Sequence, residues 1–317
     1  MSKLTKFVVC GGGMMGSAIA QVLAGIEGAE VTILRSSNRG GDIRDKVRAN
    51  LQELVDKGVY EPEYIETVVS RINIAFDKNE ECVKNAELII ECVPEVMEIK
   101  QDLFAGLEEV VSEKTIFCTN TSVMSPTEIA SKCKHKERVC GTHFWNPAHL
   151  IPLVEVVKTE DTSDEVIQAV MDVMTEAGKQ PCLCKKDVPG FIANRMQHAL
   201  WREAIAIVDE GIADAATVDL ACKTSFGLRL PYLPPLVNSD MVGTQLTWNI
   251  HSYVLKHLAD NHEPSPIVKE MIDNGKLGFR AEPVDGVREG FMKYTDEEIA
   301  DINKGLNDYL IKMLYNK

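Results

Sequence analysis

Short apolar runs alternate with amphipathic stretches through the first 187 residues. The runs at 6–10, 30–34, 71–75, 87–92, 115–119, 138–142, 153–157 and 180–185 read as strands. Helical patterns lie between many of them, at 14–25, 43–57, 97–112 and near 163–178. In the second, Ile43, Val47, Leu51, Leu54 and Val55 form an apolar stripe. The last opens with Thr162-Ser163-Asp164-Glu165, a capping-box pattern. This alternation predicts an α/β fold, a Rossmann-type doubly wound and mostly parallel sheet over residues 1–187. After Asp187-Val188-Pro189-Gly190 the texture changes. A long helical pattern carries Phe191, Ile192, Met196, Leu200, Ile205 and Val208, and further helices are expected at 214–226, 238–260, 265–275 and 295–315. No strand is expected there, so residues 188–317 read as an all-helical second domain.

The strand at 6–10 runs straight into Gly11-Gly12-Gly13-Met14-Met15-Gly16 and a helical pattern. A G-x-G-x-x-G turn between a strand and a helix is the context in which the motif means dinucleotide binding. Gly11 permits the tight turn, Gly13 lets the backbone approach a pyrophosphate, and Gly16 lets helix and strand pack closely. The amides and positive end of the new helix, at Met14 and Met15, then hold the phosphates. A carboxylate at the end of the second strand ordinarily binds the ribose 2′-hydroxyl. This chain has Arg35 there, followed by Ser36-Ser37-Asn38-Arg39. A guanidinium attracts a 2′-phosphate, and its fork bonds it bidentately, so NADP(H) is the expected cofactor, with NAD(H) as the other option. The competing reading leaves Arg35 and Arg39 in solvent and brings Asp42 or Asp45 to the ribose.

Bulk properties narrow the partners. A length of 317 residues accommodates two domains with full cores. The net charge of −14 argues against nucleic acid and anionic membrane. No apolar run is long enough for a transmembrane helix, and the start leads directly into a strand, so a cytoplasmic location is expected. The nine cysteines fall largely inside apolar runs and read as buried hydrophobes, not disulfides or metal ligands. The surplus of apolar helices in the second domain suggests a homodimer.

Several segments fall at strand ends, where this fold places ligands. They are Pro94-Glu95, Asn120-Thr121-Ser122, His143-Phe144-Trp145-Asn146-Pro147 and, within a strand, Glu155. Hydride exchange with a secondary alcohol needs a base for the hydroxyl proton, and histidine suits it. A carboxylate on the other ring nitrogen fixes the tautomer and stabilises the imidazolium. Glu155 is 12 residues from His143, within reach on a neighbouring strand. Ser122 and Asn194 are candidates to polarise the substrate oxygen. Each residue also has a structural reading: His143 as a satisfied core residue, Ser122 as a helix cap, Asn194 as a first-turn helix residue.

Together these segments resemble the L-3-hydroxyacyl-CoA dehydrogenase family over nearly the whole chain. The matching runs are Gly11 to Gly16, Glu91-Cys92-Val93-Pro94-Glu95 with Lys100, Asn120-Thr121-Ser122, His143 to Pro147, Leu153-Val154-Glu155-Val156 and Pro189 to Arg195. The resemblance implies a catalytic His143–Glu155 pair and substrate contacts from Ser122 and Asn194. It implies cofactor contacts on the nicotinamide side from Glu95, Lys100, Ser122 and Asn146, with Asn120 in the same loop. It also implies a dimer formed through a helical C-terminal domain.

The chain departs from the family at Arg35, and at His149-Leu150-Ile151-Pro152, where CoA-using members carry Met-Lys. Lys57-Gly58-Val59 lacks a second lysine, and Val123 replaces a serine. Trp145, His149, Arg229 and Tyr232 are further pocket candidates peculiar to this chain, and the segment from Asp285 to Tyr294 departs from the family pattern. The expected reaction interconverts a 3-hydroxy and a 3-oxo group on a 3-hydroxybutyryl-CoA type substrate. The alternative is a small free 3-hydroxy acid of the gulonate or carnitine type without CoA. A non-catalytic, crystallin-like nucleotide-binding protein is the remote third reading.

Overall fold

The computed structural model describes residues 3–37 and 41–316. By internal contacts the chain forms two units, Met1–Arg195 with Leu306–Lys317, and Met196–Gly305. The division expected at 187/188 thus lies eight residues earlier than this one, and the last helix returns to the first unit. The return has a physical basis: Ile311 is buried with Leu54 and Leu150, Asn307 donates to Glu53 at 3.2 Å, and Lys57 pairs with Asp308 at 2.5 Å.

The first unit is built on eight strands: β1 (Lys6–Cys10), β2 (Glu30–Leu34), β3 (Ile72–Ala75), β4 (Leu88–Glu91), β5 (Ile116–Thr119), β6 (Val139–Phe144), β7 (Leu153–Val157) and β8 (Gln180–Cys184). They form one sheet in the order β3-β2-β1-β4-β5-β6-β7-β8. All pairs are parallel except β6–β7. The helices are α1 (Met14–Ala24), α2 (Ile43–Asp56), α3 (Glu63–Val69), α4 (Glu81–Lys84), α5 (Met97–Glu108), α6 (Pro126–Ile129) and α7 (Asp164–Glu176). This is the doubly wound sheet that the alternating pattern predicts. Its two faces carry separate cores. One joins Phe7, Val9, Val31 and Ile33 to Ile19, Leu23, Val47, Leu51 and Val170; the other joins Val8, Ile89 and Phe117 to Val83, Phe104 and Ile129. Central strands buried on both faces are continuously apolar, as their sequences are.

Local chemistry sets the helix starts. Asp42 caps α2 by accepting from the Arg44 amide at 3.0 Å, and the predicted stripe of Ile43, Val47, Leu51 and Leu54 faces the core. Ser163, not Thr162, caps α7, accepting from the Val166 amide at 3.2 Å. The Thr162 hydroxyl is instead committed to the Val139 carbonyl at 2.6 Å.

The second unit takes in most of α8 (Ala193–Asp209), then α9 (Ala215–Thr224), α10 (Phe226–Arg229), α11 (Pro235–Val242), α12 (Thr244–Val254), α13 (Pro266–Asp273) and the first half of α14 (Asp296–Tyr315). The helix expected over 238–260 is broken at Gly243, whose φ of +94° no helical residue adopts. The expectation of no strand needs correction. Residues 287–295 form a short antiparallel hairpin, β9 (Val287–Glu289) with β10 (Lys293–Thr295). Three-residue strands are too short to leave a periodic signal.

Candidate active site

The glycine turn is shaped for an anion. Gly11 has φ +110°, and a Cβ there would lie 2.7 Å from the Cys92 carbonyl oxygen. A Cβ on Gly16 would lie 2.0 Å from the Gly11 oxygen, so β1 and α1 approach as closely as their backbones allow. A Cβ on Gly13, by contrast, would meet nothing within 4 Å, and no side chain caps α1. Its first amides therefore remain available to a phosphate. Met14, the first residue of α1, is exposed, and Met15 is half-buried. These features fit a dinucleotide.

Arg35 follows β2 and is 8% exposed. Its Nη1 donates to the Gly41 carbonyl at 3.0 Å, and its Nε would stand 3.3 Å from a Cβ on Gly12. The guanidinium thus lies against the glycine turn. Ser36 beside it is exposed. Arg39 lies outside the described residues. Asp42, the rival for the ribose, is committed to capping α2 and to Arg44 at 2.7 Å.

At the ends of β4 and β5 a buried ion-pair network supports Glu95. Lys100, on the first turn of α5, is 1% exposed, and its Nζ stands 2.7 and 2.9 Å from the Glu91 oxygens and 3.0 Å from Glu95. Glu91 also accepts from the Thr119 hydroxyl at 2.7 Å and the Val93 amide at 2.7 Å. Lys100 therefore sits beneath Glu95, and its charge reaches any ligand through that carboxylate. The Thr121 hydroxyl and the Ser122 amide also donate to Glu95, the latter at 3.1 Å. Burial alone would raise the Glu95 carboxyl, but the bonds from Thr121 and Lys100 outweigh it and hold the group below its ordinary range. Glu91 and Thr121 stood inside runs that the sequence singled out but were assigned no role, and Thr119 was not singled out; its only sequence signal was position, at the end of an apolar strand.

His143 and Glu155 come together through the antiparallel step in the sheet. They are direct cross-strand partners in the β6–β7 register. His143 Nδ1 lies 2.7 Å from Glu155 Oε2, with both side chains buried. Trp145 Nε1 donates to the same oxygen at 3.2 Å. The amides of Ile192 and Ala193, at the start of α8, donate to Oε1 at 2.9 Å each. Burial would raise the Glu155 carboxyl; the bond with His143, then the two amides and Trp145, outweigh it and keep the group anionic. Phe191, at φ +47°, stands against the imidazole with ring centroids 5.7 Å apart.

Asn194 is joined to the same cluster, its Nδ2 donating to the Ser122 carbonyl at 3.2 Å. Ser122 is exposed at the mouth of β5, and Asn146 is exposed beyond β6. Asn120 Oδ1 accepts from the Phe144 amide at 2.9 Å, which ties the loop after β5 to the end of β6. His143, Glu155, Asn194, Ser122 and Glu95 thus form one connected set.

The other pocket candidates fall elsewhere. His149 lines a separate cavity of about 420 Å³ with Gln21, Leu51, Tyr60 and Lys179. Burial and the Lys179 charge push its imidazole down to about 4. Arg229 and Tyr232 belong to the second unit.

The chain matches the model for the 3-hydroxyacyl-CoA dehydrogenase NAD-binding domain over residues 6–188. The model for that enzyme's C-terminal domain matches residues 190–294. The chain belongs to the 3-hydroxyacyl-CoA dehydrogenase family. A probable 3-hydroxybutyryl-CoA dehydrogenase of Deinococcus radiodurans is 33% identical over 294 residues, 91% of this chain and 100% of the relative. The mitochondrial hydroxyacyl-coenzyme A dehydrogenase of Homo sapiens is 32% identical over 293 residues, 90% of each chain. Among solved structures, an NAD+-dependent dismutase, a 5-formyl-3-hydroxy-2-methylpyridine 4-carboxylic acid 5-dehydrogenase, superposes with a TM-score of 0.85 at 26% identity. It covers 98% of this chain and 97% of its own. As a family member the chain is a nicotinamide-dependent oxidoreductase of CH–OH groups. Among the described residues, no helix is long and apolar enough to cross a membrane.

Proposed function

We propose that the protein interconverts the 3-hydroxy and 3-oxo groups of a short acyl-CoA, of 3-hydroxybutyryl-CoA type, with NADP(H). The observation that carries the chemistry is the buried His143–Glu155 contact of 2.7 Å. With Nδ1–H donated to a carboxylate that is anionic at neutral pH, His143 presents Nε2 as a base. It removes the hydroxyl proton while the bound nicotinamide takes up the hydride, and in the other direction it returns that proton to the alkoxide oxygen. Glu155 stabilises the imidazolium in both directions. Asn194 and Ser122, linked at 3.2 Å, are the groups proposed to orient the reacting oxygen. Glu95, which accepts from the Ser122 amide, and Asn146, exposed just after β6, are proposed to meet the cofactor.

NADP(H) preference is supported by Arg35 packed against the glycine turn, by the exposed hydroxyl of Ser36, and by Asp42 being occupied as a cap. A homodimer through the second unit is supported by its exposed apolar side chains, among them Leu228, Tyr232, Leu236 and Trp248. The reading includes a cytoplasmic location.

Initial rates on acetoacetyl-CoA with NADPH and NADH test it. NADPH should be preferred, and Arg35→Asp should shift the ratio of kcat/KM values toward NADH by about 10–150-fold, the worth of a charge-assisted bond at 1.5–3 kcal/mol. Equal use of NADH by the unaltered enzyme would remove the NADP assignment and leave the reaction standing. Turnover of free 3-oxo acids but not of the thioester would remove the CoA assignment.

A further inference from the structure

We propose that Trp145 is a positioning residue for the His143–Glu155 pair, holding Oε2 of Glu155 in place and moderating its pull on the imidazole through the indole N–H. This rests on the catalytic reading of His143 given above.

The four donors on Glu155 are divided two and two. Oε1 takes two backbone amides from the start of α8. Those belong to the backbone where the turn after Gly190 enters α8. Oε2 takes two side chains, His143 and Trp145. Among the described residues no lysine or arginine pairs with this buried carboxylate. Its negative charge is therefore distributed over hydrogen bonds alone, and each donor that shares Oε2 weakens what the oxygen offers the other. Trp145 also walls the imidazole, with ring centroids 5.4 Å apart, as Phe191 does at 5.7 Å. The indole is half-buried and its N–H donates to the carboxylate.

Of the groups around the pair, Glu95 is anionic and paired with Lys100, while the neighbouring thiols stay uncharged. On β8, Cys182 is the register partner of Glu155, with Cys184 two residues on. Burial, with the Glu155 charge, pushes both thiols up. Ser122 and Asn194 are neutral. Trp145 donates to Glu155 and not to Glu95, so a change in the acid limb of the pH profile on altering Trp145 is read at the His143–Glu155 pair.

The test compares Trp145→Phe, which keeps the ring wall and removes the N–H, with Trp145→Leu, which removes both. Acetoacetyl-CoA and 3-hydroxybutyryl-CoA rates are followed against pH, with His143→Gln alongside. Without the indole donor, Oε2 draws the imidazolium more strongly, so in the oxidation of 3-hydroxybutyryl-CoA, where His143 acts as base, the acid limb of kcat should move up by about half a pH unit or more in both variants. In Phe, kcat at the plateau should fall several-fold with little change in either KM; in Leu it should fall further because the wall is gone. Since both variants lose the same hydrogen bond, the shift in either one carries the test if the other fails to fold. An unmoved acid limb for 3-hydroxybutyryl-CoA oxidation in a folded variant overturns the proposal while the catalytic pair stands. If His143→Gln keeps its activity, the catalytic reading falls first, and the role of Trp145 with it.

Discussion

Glu155→Gln isolates the charge of a side chain whose shape is retained. In the native site one carboxylate accepts four hydrogen bonds, from His143 and Trp145 on one oxygen and from Ile192 and Ala193 on the other. An amide offers a single oxygen, so its NH2 must face two donors whichever way it turns. Two charge-assisted bonds, each about 1.5–3 kcal/mol, are lost, a total of about 3–6 kcal/mol before relaxation. Because Trp145 is half-buried, it can swing toward water and recover part of that, so a loss near the lower bound is expected. The catalytic deficit is larger in effect: without the anion the imidazolium is unsupported, and kcat should fall by about 10²–10⁴, the usual share of general acid–base catalysis. Urea unfolding gives the first number and acetoacetyl-CoA reduction the second. The pH dependence has a definite sign. The folded-state pKa of Glu155 is lowered from 4.5, so its contribution is complete above that value and disappears as pH falls through the folded-state pKa. The stability gap between the two proteins should be flat from pH 7 to about 5 and narrow below. A gap under about 0.5 kcal/mol, within the range of an ordinary surface substitution, or one that widens in acid, would refute the reasoning.

Lys100→Met should destabilise the first unit by about 3–5 kcal/mol in urea, because Glu91 is left as a fully buried charge without its cation. A loss comparable to a surface pair would show that the network is not what holds β4 to α5. Gly11→Ala should cost both stability and cofactor affinity, since φ is +110° and the new Cβ meets a backbone oxygen at 2.7 Å; fluorescence titration with NADPH measures the second. His149→Phe should gain stability relative to the unaltered protein as pH falls from 6.5 toward 4, because the native imidazole resists protonation until about 4 and its charging disfavours the folded state. Thermal unfolding at pH 7 and pH 5 checks this, and a difference that is the same at both would contradict it.

The sheet was legible because its central strands are buried on both faces. All eight apolar runs became strands within two residues of their predicted limits, and the glycine turn fell where expected between β1 and α1. What periodicity does not encode is direction and register. Nothing in Leu153–Val157 says that β7 runs antiparallel to β6, yet that reversal is what makes His143 and Glu155 opposite partners. The same limit explains Lys100. Five positions after Glu95, it reads as a second hand on the cofactor, but the first turn of α5 directs it down between Glu91 and Glu95. Gly243 was visible as a lone glycine inside a helical pattern, and its break could have been anticipated; the three-residue strands at 287–295 could not. Apart from Glu155, buried in the middle of β7, the chemistry sits where local patterns end, at or near strand termini, because there the backbone turns outward and side chains are released from packing. Strand patterns therefore locate the site to within a few residues. Which of its groups touch, and which one holds another in place as Trp145 does Glu155, is settled by tertiary register, and a single chain's periodicity carries no record of it.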